Sequence, residues 1–183
     1  QEKLSGKKYV LFIGRLSIEK GIVEMTEVIY RFFEANPDYF LVCCGDDDSI
    51  NGRSTLHALK KAAECFKERV IHLKTMPHET LYPVIQHADF VICPSRMENL
   101  SNACMEAMYF GRVVIGTNGT SYEQLIKDGV NGLLCRPENP KDLLDKMNKA
   151  AAMSKAEKAS MGKNAQKMIE RLAPKYTVNE LLR

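Results

Sequence analysis

Short apolar segments alternate with helical patterns along most of this 183-residue chain, and this alternation constrains the fold more than any other feature. Buried strands are predicted at residues 10–14, 40–44, 70–73, 90–93, 113–116 and 132–135. Helical segments separate them at residues 22–35, 54–67, 80–86, 102–110 and 122–126. The alternation predicts right-handed βαβ units, and therefore an α/β domain with about six mainly parallel strands and helices on both faces of the sheet.

Two longer helices are predicted after the last strand. An Asn-Pro pair at residues 139–140 is typical of a helix cap and first turn, and the Ser-x-x-Glu pattern at 154–157 is a capping box. These signals predict helices near residues 141–152 and 155–172. A last helix is predicted to begin near Thr177 and to be cut short by the end of the chain. The domain is therefore expected to end in helices and not in further strands.

The composition is that of an ordinary globular protein, with 45% hydrophobic and 27% charged residues. A chain of this length can bury a core without a disulfide or a metal, so we expect a single domain over residues 1–183. No apolar run approaches the ~20 residues of a membrane span, and we expect no signal peptide. The first residue is Gln, so we expect a piece of a longer protein.

The six cysteines have no spacing typical of a metal site or a disulfide framework. We interpret them as small apolar residues of a reduced, cytoplasmic protein, with Cys43 and Cys44 on opposite faces of one strand. Eight lysines follow residue 140. They are compatible with peripheral contact at the inner face of a membrane, but interspersed acidic residues and a net charge of only +3 favour a solvated surface. Nothing beyond this mild basicity supports nucleic-acid binding.

Two glutamates eight positions apart, Glu98 and Glu106, follow the strand predicted at residues 90–93. Asn99 and Ser101 are candidate caps for the next helix, whose first amides would face the sheet edge where ligands bind, so an anion is the expected guest. Glu106 lies about 7 Å further along that helix, where a carboxylate can accept both hydrogen bonds of a ribose diol. Taken alone, this spacing arises often by chance.

A second candidate anion site follows the first strand. Gly14 permits close approach to the backbone, and Arg15 and Lys20 flank the loop as two cations. Arg can donate two parallel bonds to phosphate oxygens, and Lys adds a mobile point charge. Each cation alone is equally compatible with simple exposure to water. Two anion sites at the strand ends of one sheet, however, favour a phosphate-containing ligand.

Together these motifs resemble a known family. The sequence has Gly-Arg-Leu at 14–16, Glu-Lys-Gly at 19–21, Pro-Ser at 94–95, the segment 98–108 and Gly-x-x-Gly at 129–132. Motifs of these types occur in this order in the nucleotide-binding half of the retaining GT-B glycosyltransferases called group 1, or family 4. The resemblance implies a Rossmann-like domain that forms the C-terminal half of a GT-B fold, with its last helices crossing back towards a preceding acceptor domain.

The resemblance also implies roles for single residues. Arg15 and Lys20 would neutralise the donor diphosphate, and Glu106 would hold the ribose. Glu98 would face the hydroxyls of the donor sugar near the reacting carbon, so that Glu98, Arg15 and Lys20 form the predicted catalytic set. Met76, after the third strand, is the expected nucleobase contact. The remaining predicted donor contacts are Gly14, Asn99, Leu100 and Ser101. Asn99 and Ser101 depart from the family's frequent Gly and Pro, which bears on the identity of the donor sugar.

We expect no metal and no cofactor. Asp46, Asp47 and Asp48 follow the second strand, but their setting is typical of a strand-end turn and a polar loop. In the resembled family, cations and a helix terminus meet the donor phosphates. The four histidines are scattered over helix, strand and loop, and none is assigned a catalytic role.

The sequence therefore predicts the donor-binding domain of a retaining glycosyltransferase of the hexosyltransferase type. It would transfer a hexose or N-acetylhexosamine from a nucleoside diphosphate sugar to a sugar or lipid-linked acceptor, in cell-surface polysaccharide or glycoconjugate synthesis. The acceptor would bind through a missing N-terminal domain, so the piece alone is expected to be inactive. Two alternatives remain, a GT-B-like sugar-nucleotide epimerase or phosphorylase, and a non-catalytic nucleotide-binding module.

Overall fold

The structure of the protein, a computed structural model, describes residues 4–172, and the helix predicted near Thr177 lies outside them. The strands in chain order are β1 (Lys8–Ile13), β2 (Tyr39–Cys44), β3 (Ser49–Ile50), β4 (Arg53–Ser54), β5 (Val70–Leu73), β6 (Phe90–Ile92), β7 (Val114–Thr117) and β8 (Leu133–Cys135). Six of them form one parallel sheet in the order β5-β2-β1-β6-β7-β8. The short strands β3 and β4 pair with each other as an antiparallel hairpin.

The helices are α1 (Ile22–Ala35), α2 (Thr55–Ala62), α3 (His78–His87), α4 (Asn102–Tyr109), α5 (Tyr122–Leu125), α6 (Pro140–Ala152) and α7 (Lys155–Leu172), with a 3-10 helix at Glu64–Arg69. Helices α1, α2 and α6 cover one face of the sheet, and α3, α4 and α5 cover the other. Helix α7 passes from one face to the other, because Met161 packs in the first core and Ile169 in the second. Within residues 4–172, no helix combines the length and apolar character needed to cross a bilayer.

The central strands are buried on both faces, which explains their continuous apolar sequences. Val10 and Phe12 of β1 pack in the core beneath α1, whereas Tyr9 and Leu11 pack in the core beneath α3 and α4. Successive side chains of a strand point to opposite faces, so a strand covered on both faces needs an unbroken apolar run. Cys43 and Cys44 divide between the two cores in the same way, as predicted.

The predicted α/β architecture with six parallel strands is confirmed, and the bounds of these strands agree with prediction within two residues. The Asn139 cap of α6 and the Ser154 and Glu157 capping box of α7 are also present. Two details of the prediction are wrong. The helix predicted at 54–67 ends at Ala62 and gives way to the 3-10 helix, because a turn at Glu64 with φ 50° redirects the chain. The polar loop after β2 contains the β3–β4 hairpin.

The strand order creates a crevice of the kind in which open parallel sheets bind ligands. From β1 the chain moves outward through β2 to β5, and it then returns to place β6 on the other side of β1. The connections after β1 and β6 therefore leave in opposite directions, and a crevice opens between them at the carboxyl ends of these strands. The loop that begins at Gly14 and the loop that begins at Cys93 form the two sides of this crevice.

Two glycines allow the loops at this edge to pack closely. Gly45, after β2, lies so near Gly14 that an added Cβ would be 2.1 Å from the Gly14 carbonyl oxygen. Gly21, at the start of α1, would place a Cβ 2.1 Å from the carbonyl oxygen of Pro94, and its φ is +82°. Both contacts join main chain to main chain, so a side chain at either position would force the loops apart.

We expect Gly21→Ala to lower the free energy of unfolding by about 3 kcal/mol or more. A left-handed φ costs an alanine about 1–2 kcal/mol, and overpacking against Pro94 costs about 1–3 kcal/mol more. Urea unfolding measures the change. Gly129→Ala is the matched control, because Gly129 has φ +74° with open space around it, so only the cost of the backbone angle should be seen. Equal losses in the two variants would contradict a close contact at Pro94.

Candidate functional site

A small cavity of about 170 Å³ lies in the crevice between the loops after β1 and β6. Its walls are formed by Ile13, Gly14, Lys20, Ser95, Glu98, Leu100, Ser101, Asn102, Ala103 and Tyr122. Five of the residues predicted from the sequence to contact a ligand are therefore brought together, namely Gly14, Lys20, Glu98, Leu100 and Ser101. The predicted contacts Arg15, Met76, Asn99 and Glu106 lie outside this wall.

An ion pair between Lys20 and Glu98 joins the two sides of the crevice. The Lys20 Nζ lies 2.6 Å from Glu98 Oε2. The Glu98 side chain is only 10% exposed, whereas that of Lys20 is 35% exposed. The carboxylate is therefore held in the wall, and the ammonium is accessible to a ligand in the cavity.

The start of α4 forms another part of the wall. Ser101 is the helix cap, because its Oγ accepts a hydrogen bond from the Cys104 N–H at 3.2 Å. Asn99, the other candidate cap, does not fill this position and is exposed. Within residues 4–172, no hydrogen bond engages the backbone N–H of Asn102 or Ala103. The first two amides of α4 are thus available to an anion, and the helix dipole favours negative charge there.

Arg15 follows Gly14 in the loop after β1 and does not line the cavity. Its backbone is fixed, because the neighbouring N–H groups of Gly14 and Leu16 donate to Cys44 and Asp46 across the β1–β2 junction. Its side chain is exposed and forms no ion pair with any residue of the described range 4–172. The Arg15 guanidinium is therefore not committed to an acidic partner among the described residues.

Glu106 is paired with a histidine that the sequence did not single out. The Nδ1 atom of His78, the first residue of α3, lies 3.2 Å from Glu106 Oε1. Burial raises the pKa of Glu106 above its usual value, and the charge and hydrogen bond of His78 oppose this rise. Met76 is partly buried two residues before His78, so the expected ribose and nucleobase contacts lie in the same region.

A second ion-pair network fixes the loop that carries Glu98. Arg96 donates from its backbone N–H to the Glu19 carbonyl at 2.9 Å. Its guanidinium binds the buried carboxylate of Glu24 in α1 at 2.8 Å and that of Glu138, after β8, at 3.1 Å. Arg96 thus connects three segments at the carboxyl edge of the sheet. Its position two residues before Glu98 was the only sequence signal that could have identified it.

The aspartates after β2 have a structural use. Asp47 Oδ1 accepts from the Leu56 N–H and from the Thr55 hydroxyl, both at 2.9 Å, and Oδ2 accepts from Ser54 at 2.6 Å. Asp47 therefore ties the loop after β2 to the start of α2. Within the described residues, no group of three or more His, Cys, Asp or Glu side chains is arranged to hold a metal ion.

The lysines near the end of the chain are partly engaged in ion pairs. Lys146 lies 3.0 Å from Asp128, and Lys158 pairs with Asp89, which also accepts from the Tyr39 hydroxyl. Both lysine side chains are largely buried, so these two charges are neutralised within the protein.

We expect Arg96→Met to lower the free energy of unfolding by about 2–4 kcal/mol, because it leaves the Glu24 carboxylate buried without a partner. The combined variant Arg96→Met with Glu24→Leu should recover most of this loss, because apolar side chains then replace the whole pair. Chemical unfolding of the two variants makes the comparison. If the combined variant is less stable than Arg96→Met, the two side chains do not act as a pair.

We expect Glu106→Gln to stabilise the unliganded protein at pH 7, by no more than about 1 kcal/mol. A carboxyl whose folded pKa is raised contributes stability below its unfolded pKa and loses it as the pH rises through the folded value. The amide removes this loss, so the gain should disappear near pH 4, about the unfolded pKa of Glu. Thermal unfolding at the two pH values tests this. A loss of stability at pH 7 would mean that the pair with His78 outweighs the cost of burial.

Comparison with known proteins gives the chain its family. Residues 1–168 match the family model described as glycosyl transferases group 1. The chain is 30% identical over 174 residues to the putative glycosyltransferase YtcC of Bacillus subtilis. This alignment covers 92% of this chain and 42% of YtcC. It spans less than half the length of the curated relatives that it matches.

Solved structures have the same fold. The C-terminal domain of the group 1 glycosyl transferase LpcC from Francisella tularensis superposes with a TM-score of 0.77 at 21% identity, over 93% of this chain and 88% of that domain. Anabaena HepE, in complex with UDP-glucose, superposes with a TM-score of 0.76 at 21% identity, over 100% of this chain and 49% of HepE. The chain therefore belongs to the group 1 glycosyl transferases, and its Rossmann-like domain has the architecture of the C-terminal domain of a GT-B glycosyltransferase.

Proposed function

We propose that this chain is the donor-binding domain of a retaining glycosyltransferase that transfers a hexose or N-acetylhexosamine from a nucleoside diphosphate sugar. The observation that carries the proposal is the cavity at the crevice between β1 and β6. It combines an accessible ammonium, a fixed carboxylate and two uncommitted helix amides within one wall. Cations and amides suit a diphosphate, and a carboxylate suits the hydroxyls of a sugar.

The diphosphate would lie at the start of α4. There the N–H groups of Asn102 and Ala103 would donate to its oxygens, and Lys20 and Arg15 would neutralise its charge. The ribose would extend along α4 towards Glu106, and the base would lie near Met76. Two cations and a helix terminus supply positive potential without a metal ion, so the proposal requires none.

The leaving diphosphate is where the domain would contribute most to the reaction. Transfer breaks the bond between the sugar C1 and the diphosphate oxygen and forms a bond from C1 to an acceptor oxygen. Negative charge therefore grows on the diphosphate, and fixed amides and cations stabilise it without reorganising. Glu98 is held by an ion pair to Lys20, which suits a carboxylate that orients the sugar better than one that attacks C1.

The rest of the active site would come from another part of the complete protein. A cavity of about 170 Å³ is smaller than the roughly 300–1,000 Å³ of typical ligand pockets, so it would enclose only part of the donor. The chain also spans less than half the length of its curated relatives. We infer that a further domain covers the donor and binds a sugar or lipid-linked acceptor, and that the reaction serves cell-surface glycan synthesis at the cytoplasmic face of the membrane.

We expect this chain to bind a nucleoside diphosphate in the presence of EDTA and to transfer no sugar by itself. Calorimetric titration with UDP, GDP and ADP identifies the base. Arg15→Ala and Lys20→Ala should each weaken the best ligand by roughly 10- to 100-fold, the loss of a charged hydrogen bond of about 1.5–3 kcal/mol. Lys163→Ala, which removes an exposed lysine of α7, is the control and should have no effect.

Three outcomes would contradict the proposal. Loss of nucleotide binding in EDTA, with the same loss in Asp46→Ala or Asp48→Ala, would indicate a metal site instead. Absence of binding to all three nucleotides would exclude a donor site. Conversion of UDP-glucose into an epimer would indicate an epimerase.

A further inference from the structure

The two carboxylate oxygens of Glu98 have different surroundings. Oε2 lies 2.6 Å from Lys20 Nζ, 3.3 Å from the Tyr122 hydroxyl and 3.4 Å from the Ser95 hydroxyl. Within residues 4–172, no hydrogen bond engages Oε1. One oxygen is therefore surrounded by donors from the protein, and the other remains able to accept a hydrogen bond from a ligand.

Tyr122 is a firmly fixed donor among these three. It begins α5, is 1% exposed, and its ring lies against Gly116 of β7, where an added Cβ would be 2.9 Å from the Tyr122 Cγ. Burial raises the pKa of Tyr122 well above its usual value, so the phenol keeps its proton and can donate. Lys20 is a long, partly exposed side chain, and the Ser95 hydroxyl also lies 3.2 Å from that of Tyr122.

The hydroxyl of Tyr122 is not needed for packing. The ring lies in the apolar core between the sheet and α4, where a phenylalanine ring would fill the same space. The Tyr122 hydroxyl adds hydrogen bonds from α5 to the loop after β6, where Glu98 and Ser95 lie. A buried hydroxyl aimed at a ligand-facing carboxylate restricts the directions in which that carboxylate can turn.

The bond from Tyr122 becomes more important when a diphosphate is bound. Lys20 would then share its three N–H donors with phosphate oxygens, and its hold on Glu98 would weaken. Tyr122 cannot follow, because its ring is enclosed by the core and by Gly116. It would continue to donate to Oε2 and would prevent the carboxylate from rotating out of the wall.

We propose that Tyr122 is a positioning residue that fixes the orientation of Glu98, so that Oε1 is the oxygen that accepts hydrogen bonds from the hydroxyls of the donor sugar. This proposal rests on the proposed function, because it assigns the sugar to Glu98. It adds that affinity for the sugar portion, in contrast to affinity for the nucleotide portion, depends on the Tyr122 hydroxyl through its bond to Glu98.

The test compares two ligand pairs, UDP with UDP-glucose and GDP with GDP-mannose, by calorimetric titration of this chain. We expect the wild type to bind the sugar nucleotide of one pair more tightly than the corresponding diphosphate. Tyr122→Phe should keep the affinity for the diphosphate within about twofold of the wild-type affinity. It should remove most of the additional affinity that the sugar provides, a loss of up to roughly tenfold. In a Glu98→Gln background, Tyr122→Phe should cause no further loss, because it acts through that carboxylate.

Tyr9→Phe is the matched control. It also removes a buried phenol hydroxyl, one that donates to the Val84 carbonyl at 2.6 Å, but in the amino-terminal half of β1 and away from the crevice. It should reduce stability without changing either affinity. An effect on the sugar portion shared by Tyr122→Phe and Tyr9→Phe would identify a general loss of rigidity and overturn the proposal.

The remaining outcomes separate the two proposals. If the wild type binds no diphosphate, the donor site itself is wrong. If it binds diphosphates but gains nothing from the sugar, or if Tyr122→Phe keeps the whole gain, the assignment of Tyr122 is wrong while the nucleotide site stands. If Tyr122→Phe weakens the affinity for the diphosphate and for the sugar nucleotide equally, Tyr122 affects binding of the diphosphate. This outcome would also overturn the positioning role.

Discussion

The contact between Gly21 and Pro94 is the constraint on which the site depends. It brings the start of α1 against the loop after β6, at a distance that only a residue without a side chain allows. Lys20 immediately precedes this contact, and Glu98 follows it by four residues, so the two charged groups meet as a consequence of main-chain packing. The backbone bond from Arg96 to Glu19 and the Arg96–Glu24 pair also hold these two segments together.

Contacts within the protein hold most groups of the site in place. Ser101 fixes the first turn of α4, Tyr122 and Ser95 surround one oxygen of Glu98, and Asp47 fastens the neighbouring loop after β2. Groups that are already oriented stabilise developing charge without a cost of rearrangement. Lys20 is the exception, because its side chain is accessible and can move between a protein carboxylate and a ligand. The ion pair with Glu98 keeps the ammonium in the wall of the cavity.

One proposed ligand contact, Glu106, reduces the stability of the protein without a ligand. The Glu106 carboxylate is partly buried, and His78 offsets only part of the effect of burial on its pKa. Binding sites commonly retain such groups, because an acceptor that is fully satisfied within the protein has no capacity left for a ligand. The cost is tolerated because two large apolar cores cover both faces of the sheet.

The sequence by itself determined the six sheet strands, most helices and their caps, because periodicity, capping residues and glycines act within a few positions along the chain. It also indicated Gly14, Lys20, Glu98 and Ser101, since residues that follow strands of a parallel sheet meet at one edge. Only the tertiary structure decided the partners: Lys20 with Glu98, 78 positions apart, Glu106 with His78, and Tyr122 with Glu98. Such pairs depend on which strands are neighbours and on the depth of each side chain in the fold, and no local pattern encodes these distances.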